Sequence, residues 1–238
     1  MTIVTATVAP TIGVLSADTL VYSIKDVGPC NHAPLDASPE SFVRATWCGD
    51  GTTPSVQPLG YMPKVYAVPH LKMAVAAGGV VMFGPAWADI LGQTPFTDIT
   101  ELTAFEVSSG LDELARQAGS YAPTVIYHVG WSDREQRMVG FICCSETGFQ
   151  PEPFTGHQFG VIPYPHSPDH RDLLRTGDRA AQGHDVEAFH TAVARNVDNA
   201  YRGGRAWNYL HFGGELLAAT VTPKGVTMSR LHTFGPAG

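Results

Sequence analysis

Met1-Thr2-Ile3-Val4-Thr5-Ala6-Thr7-Val8-Ala9-Pro10-Thr11-Ile12-Gly13-Val14-Leu15-Ser16-Ala17-Asp18 is the stretch whose reading decides the fold. From Ile3 to Ala9 and again from Ile12 to Val21, β-branched residues alternate with small ones, and Pro10-Thr11 separates the two runs. This predicts two antiparallel strands and a tight reversal. With the reversal centred on Pro10, pairing sets Thr2 directly opposite Asp18, and opposed residues hold their Cβ atoms about 5 Å apart on one face. A hydroxyl and a carboxylate then meet at the open end of the hairpin. Thr2 also follows the initiator Met, and a small residue there lets an aminopeptidase expose it. A threonine at a new N-terminus carries a nucleophilic Oγ together with its own amine as general base. On the hairpin alone, the plainer reading is an ordinary edge hairpin with a threonine near a frayed end.

The chain has 238 residues, 44% of them hydrophobic and 16% charged, which is the make-up of a globular protein large enough for one domain with a sizeable core. A formal charge of −7 and the absence of any Lys/Arg run longer than two residues argue against a nucleic-acid partner. No basic segment followed by an apolar one opens the chain, so no secretion signal is expected. The most apolar window, Met73 to Leu91, is interrupted by Gly78, Gly79, Gly84, Pro85 and Asp89 and falls short of a membrane span. A cytosolic protein without a membrane partner is expected. Cys30, Cys48 and the adjacent Cys143 and Cys144 show no C-x-x-C spacing, so they read as buried free thiols.

Residues 26–60 are rich in Gly, Pro, Ser, Asp and Thr and read as a long excursion from a single domain. Phe42, Val43 and Trp47 are apolar residues within it, the pattern of a docked loop, so the excursion is expected to lie on the surface and to join a self-association interface. Order returns at Lys64, where K-V-Y-A-V and L-K-M-A-V-A-A predict two short strands. Gly78-Gly79 and a helix follow, a corner that can bind an anion but that often needs glycine for steric reasons alone. A second helix is expected over about 98–117, and T-V-I-Y-H-V-G-W with M-V-G-F-I-C-C reads as a long hairpin. Residues 149–183 read as a second irregular region. His166, Asp169 and His170 within it match no zinc spacing and read as a polar surface loop, so no metal or other cofactor is expected. An amphipathic helix from His184 to Arg202 and a final hairpin complete the chain.

This order, with three local motifs, resembles the proteasome-like branch of the N-terminal nucleophile hydrolases. The motifs are T-I-V-T-A-T-V-A followed by G-V-L-S-A-D-T, with Asp18 sixteen positions after Thr2; the K-V-Y-A-V strand opened by Lys64; and M-A-V-A-A-G-G leading into a helix. The resemblance implies an α+β fold, a four-layer αββα sandwich, over the whole chain. It implies catalytic roles for four residues: Thr2 as nucleophile, Asp18 as the carboxylate orienting a lysine, Lys64 as the cation lowering the threonine pKa, and the backbone amide near Gly78 in the oxyanion hole. The activity implied is a threonine-type amidohydrolase or peptidase acting on a peptide or small amide, in a homo-oligomer built as a ring or stack. A catalytically silent structural or assembly subunit of the same fold is the alternative, with R-G-G-R-A-W-N where the family carries an Asp-x-x-Ser pair.

Overall fold

A computed structural model describes residues 3–25, 55–80, 82–118, 124–161, 185–202 and 213–234. The chain runs β1 (Ile3–Val8), β2 (Gly13–Asp18), β3 (Leu20–Lys25), β4 (Ser55–Tyr61), β5 (Val65–Val68), β6 (Met73–Gly78), α1 (Phe83–Gly92) and α2 (Ala104–Ala118). It continues through β7 (Val125–Ser132), β8 (Arg137–Cys144), β9 (Pro151–Pro153), β10 (Gly156–Val161), α3 (Val186–Arg202), β11 (Glu215–Thr222) and β12 (Gly225–Thr233). One five-stranded sheet is ordered β10-β1-β2-β11-β12, a second β5-β6-β7-β8-β9, and β3 with β4 forms a two-stranded third. Among the described residues every strand pair is antiparallel.

The first hairpin forms as expected, but one residue out of register. Val4 pairs with Ala17 and Val8 with Gly13, so the arithmetic that set Thr2 opposite Asp18 fails by one position. The cause is the turn: the Ala9 N–H donates to the Ile12 carbonyl at 2.9 Å, placing Pro10 and Thr11 together at the tip rather than Pro10 alone.

Side chains alternate across β1 and β2, and both faces are buried. Val4, Ala6, Val8, Leu15 and Ala17 meet Ala74, Ala76, Val129 and Trp131 of the second sheet in a shared core. Gly13 sits so close to that sheet that a Cβ would lie 2.3 Å from Val129 Cγ1. On the opposite face Val14 packs with Val186 of α3. The outer face of the second sheet, through Met73, Val75, Ile126 and Cys143, packs on Phe83, Trp87 and Leu91 of α1 and on Val107 and Leu111 of α2.

The four-layer αββα sandwich is corrected by this architecture. The described residues are mostly antiparallel β, with twelve strands in three sheets and only three α-helices. The sequence reading placed extended chain in loops. Ser55–Tyr61 falls at the end of the 26–60 excursion yet pairs with β3, and Gly156–Val161 falls in the 149–183 region yet pairs with β1 along its length. The second helix begins at Ala104, after a 3-10 turn over Ile99–Glu101, and not at about 98. Phe42, Val43 and Trp47 lie outside the described residues, as do Cys30, Cys48, His166, Asp169 and His170. Among the described residues no helix is long and apolar enough to cross a membrane.

Two buried polar hubs fasten these layers. His190 of α3, almost fully buried, bonds the Thr7 hydroxyl of β1 through Nε2 at 2.9 Å and the Ser16 hydroxyl of β2 through Nδ1 at 2.7 Å. Burial, with His157 nearby, pulls its pKa down to about 3, so the ring is neutral at pH 7. His190→Ala would strand two buried hydroxyls and open a cavity. A loss of about 2–4 kcal/mol is expected, measured by urea denaturation at pH 7.

Asp98 is the second hub: its carboxylate accepts from the Thr100 N–H and hydroxyl, the Ser132 hydroxyl and the Arg134 N–H. Burial works against the charged form, but those donors outweigh it and lower the pKa from 3.8 to about 2. The folded carboxylate thus holds its proton more weakly than the unfolded one. The stabilisation is complete above the unfolded value and lost as pH falls from 3.8 toward about 2, and amounts to roughly 2 kcal/mol. Asp98→Asn should therefore lower the unfolding free energy at pH 6 by about this amount and flatten its fall between pH 4 and 2.

Candidate active site

The strand-to-strand step at the end of β2 creates a buried acidic position. Asp18 is fully buried, and three of its hydrogen bonds come from separate parts of the chain. Its Oδ1 accepts from the Lys64 ammonium at 3.1 Å. Oδ2 accepts from the Leu20 N–H at 3.2 Å and from the Gly213 N–H at 3.3 Å. The backbone around it is tied as well: the Thr19 carbonyl accepts from the Met62 N–H at 2.8 Å, and the Gly213 carbonyl accepts from Thr19 and Leu20.

Lys64 lies just before β5 and is itself buried, 5% exposed. Burial pulls its pKa below the usual lysine value, and the Asp18 charge and hydrogen bond oppose that pull. An ammonium in such a place stays charged because of its carboxylate, and the carboxylate tolerates burial because of the ammonium and two amides. The Tyr66 hydroxyl donates to the Pro63 carbonyl and braces the approach to Lys64.

Gly78 closes β6 opposite Val125. The neighbouring Ala77 N–H donates to the Lys64 carbonyl at 3.1 Å, which fastens the end of β6 to the lysine's own backbone. A Cβ on Gly78 would stand 3.9 Å from Val4 Cγ2, so the glycine faces the head of β1. Gly79 then turns the chain toward α1 at φ +103, a conformation that calls for glycine.

Of the four candidate residues, Asp18 and Lys64 are in direct contact, Gly78 adjoins them through Ala77, and Thr2 lies outside the described residues, one position before β1. A carboxylate holding an ammonium in a dry place can lower the pKa of an adjacent amine or hydroxyl and steady a developing alkoxide. The two described cysteines offer no competing nucleophile. Burial raises both thiols, that of Cys144 to about 12, well away from a thiolate at pH 7.

Sequence reasoning missed Gly213, whose N–H donates to the Asp18 carboxylate, and Thr19, whose hydroxyl accepts from the Glu215 N–H at 2.9 Å. The Gly213-Gly214 pair ahead of an apolar strand was the available signal, since Gly214 sits at φ +73. His190 was missed too. Val186, four residues earlier, and Val193, three later, mark its place on the buried stripe of α3.

No protein-family model matches this chain, and no curated protein matches it. A solved structure of Anbu from Hyphomicrobium sp. strain MC1, as a Gly-1 mutant, is similar to it with a TM-score of 0.55 at 15% sequence identity, over 97% of this chain and 88% of that one. At that identity the likeness is one of fold.

Proposed function

We propose that the chain is an N-terminal nucleophile amide hydrolase in which Thr2, freed of Met1, attacks an amide with the Asp18 and Lys64 pair as its charge support. The observation that carries this reading is the buried 3.1 Å ion pair, formed between two residues that the family resemblance named and lying 46 positions apart. In this mechanism the threonine amine takes the proton of its own Oγ as the Oγ–acyl bond forms, and returns it to the leaving amine as the C–N bond breaks. Water then cleaves the acyl ester and restores the hydroxyl. Lys64 favours the neutral amine and the developing alkoxide, and amides at the Gly78 corner receive the oxyanion, a contribution of about 3 kcal/mol. The fold likeness to Anbu supports the family side of the reading and leaves the reaction to be tested. Release of aminocoumarin from a panel of peptidyl aminocoumarins by the purified full chain is the expected result. Absence of release across the panel, from protein verified to begin at Thr2, would count against it.

A silent assembly subunit is the second reading. The observation favouring it is the apolar surface left on the helical side, where Phe105 and Met82 are 78% and 59% exposed. If Phe105 sits between copies of the chain, Phe105→Ser should lower the mass seen by light scattering to that of a smaller assembly.

A further inference from the structure

A cleft of about 450 Å³ opens beside the ion pair, the size of a small-ligand site. Thr19 and Pro63 line it, and they are the chain neighbours of Asp18 and Lys64. Tyr61, Leu217 and Phe234 supply apolar walls. Its far side is fixed: the Phe234 N–H donates to the Gly214 carbonyl at 2.9 Å, and the His232 ring meets the Phe234 ring edge-on at 5.0 Å. Thr19 and Tyr61 pack closely on Gly214, where a Cβ would lie 2.3 Å from Thr19 Oγ1 and 2.6 Å from Tyr61 Cδ1, so any side chain at 214 would displace these two walls. Tyr61 leaves 66% of its surface to solvent at this wall, an aromatic face open among the described residues. Among the described lining residues the one carboxylate is Glu215, and the Arg230 guanidinium holds it at 2.7 Å.

We infer that this cleft is a subsite for a bulky uncharged side chain of the amide substrate, and that Arg230 keeps it so by occupying the Glu215 carboxylate. The inference rests on the amide-hydrolase reading for the word substrate, but the cleft's chemistry stands on its own. An apolar wall rewards an aromatic or branched aliphatic group, and an acidic side chain would meet Glu215. With Arg230 in place a basic side chain finds no free carboxylate. Both partners of that pair are partly exposed, so its effect on selectivity is modest.

The test is equilibrium binding of N-acetyl-phenylalanine methylamide and of its glutamate and lysine counterparts to the full chain, followed by calorimetry or ligand-observed NMR. The phenylalanine probe should bind and the glutamate probe should not. Tyr61→Ala should weaken the phenylalanine probe by about tenfold or more, as expected for removing an apolar wall. Thr233→Trp, at an exposed position on the lining, should block it by filling the space. Arg230→Ala should shift the preference toward the lysine probe by about two- to fivefold. Equal binding of the glutamate probe, or phenylalanine binding untouched by Tyr61→Ala and Thr233→Trp, overturns the proposal. Binding is read without turnover, so the two readings fail separately. A chain with this binding pattern and no amide hydrolysis keeps the cleft and loses the reaction. A chain that hydrolyses peptidyl aminocoumarins with kcat/KM unchanged in both variants keeps the reaction and loses the cleft.

Discussion

Lys64→Met is expected to destabilise the protein by about 3–5 kcal/mol, because it leaves the Asp18 carboxylate buried without its cation. Methionine matches the length of the lysine stem, so little of the loss comes from an altered shape. The charge is what changes. Asp18 then keeps amide donors at Leu20 and Gly213, but these do not neutralise it. Adding Asp18→Asn to Lys64→Met removes the stranded charge while keeping an acceptor for those amides, and should recover most of the loss. Urea denaturation at pH 7 measures both variants against the parent. Salt up to about 1 M should leave the difference nearly unchanged, since a dry pair is poorly screened. A loss below about 1 kcal/mol for Lys64→Met would mean that the pair is solvated, and the site would lose its structural basis.

Thr2→Ala is expected to reduce amide hydrolysis by several orders of magnitude, on the order of 10⁴ to 10⁶ in kcat, the range seen when a nucleophile that acts as part of a unit is removed. Its unfolding midpoint should match the parent's, because the described pairing of β1 with β2 runs from Val4 to Val8 and its core side chains stay in place. The pH profile gives an independent check. Activity needs the neutral α-amine, so kcat/KM should rise with pH up to the α-amine range, about 7.7–8.0, or somewhat below it where Lys64 lowers that value. It should fall again at high pH as Lys64, whose own pKa is lowered, gives up its charge. Hydrolysis that survives Thr2→Ala moves the nucleophile elsewhere. A loss of stability equal to the loss of activity would mark Thr2 as structural.

The parts of this molecule that could be read from sequence are those where one physical pattern dominates. The alternation through Ile3–Val8 and Gly13–Asp18 marks two strands because small and β-branched side chains suit a sheet buried on both faces. Lys64 and Gly78 stood out through the family resemblance of the K-V-Y-A-V strand and its M-A-V-A-A-G-G exit. β4 was not legible: Ser55-Val56-Gln57-Pro58-Leu59-Gly60-Tyr61 contains Pro58 and Gly60, which argue for a loop. It is a strand because β3 pairs with it, and the ladder shifts register between Val21 and Tyr22 to pass Leu59. β10 likewise takes its order from β1. The one-residue error in the first hairpin came from the turn, whose closure by Ala9 and Ile12 hydrophobic pattern does not report. The polar hubs at Asp98 and His190 depend on partners distant in the chain, which no local pattern shows.

The central claim is that Thr2 carries the nucleophile and that the Asp18 and Lys64 pair activates it. Intact-mass spectrometry of the purified full chain, before and after treatment with a β-lactone, tests it most directly. Attack by Oγ would open the lactone at its acyl carbon–oxygen bond, form an ester on Thr2 and leave the released alkoxide protonated. The expected chain is lighter than the encoded one by one methionine and gains one acyl adduct that peptide mapping places on Thr2. The adduct is absent from Thr2→Ala and strongly reduced in Lys64→Met. Retention of Met1, or an adduct mapped to another residue and indifferent to Lys64→Met, would contradict the account.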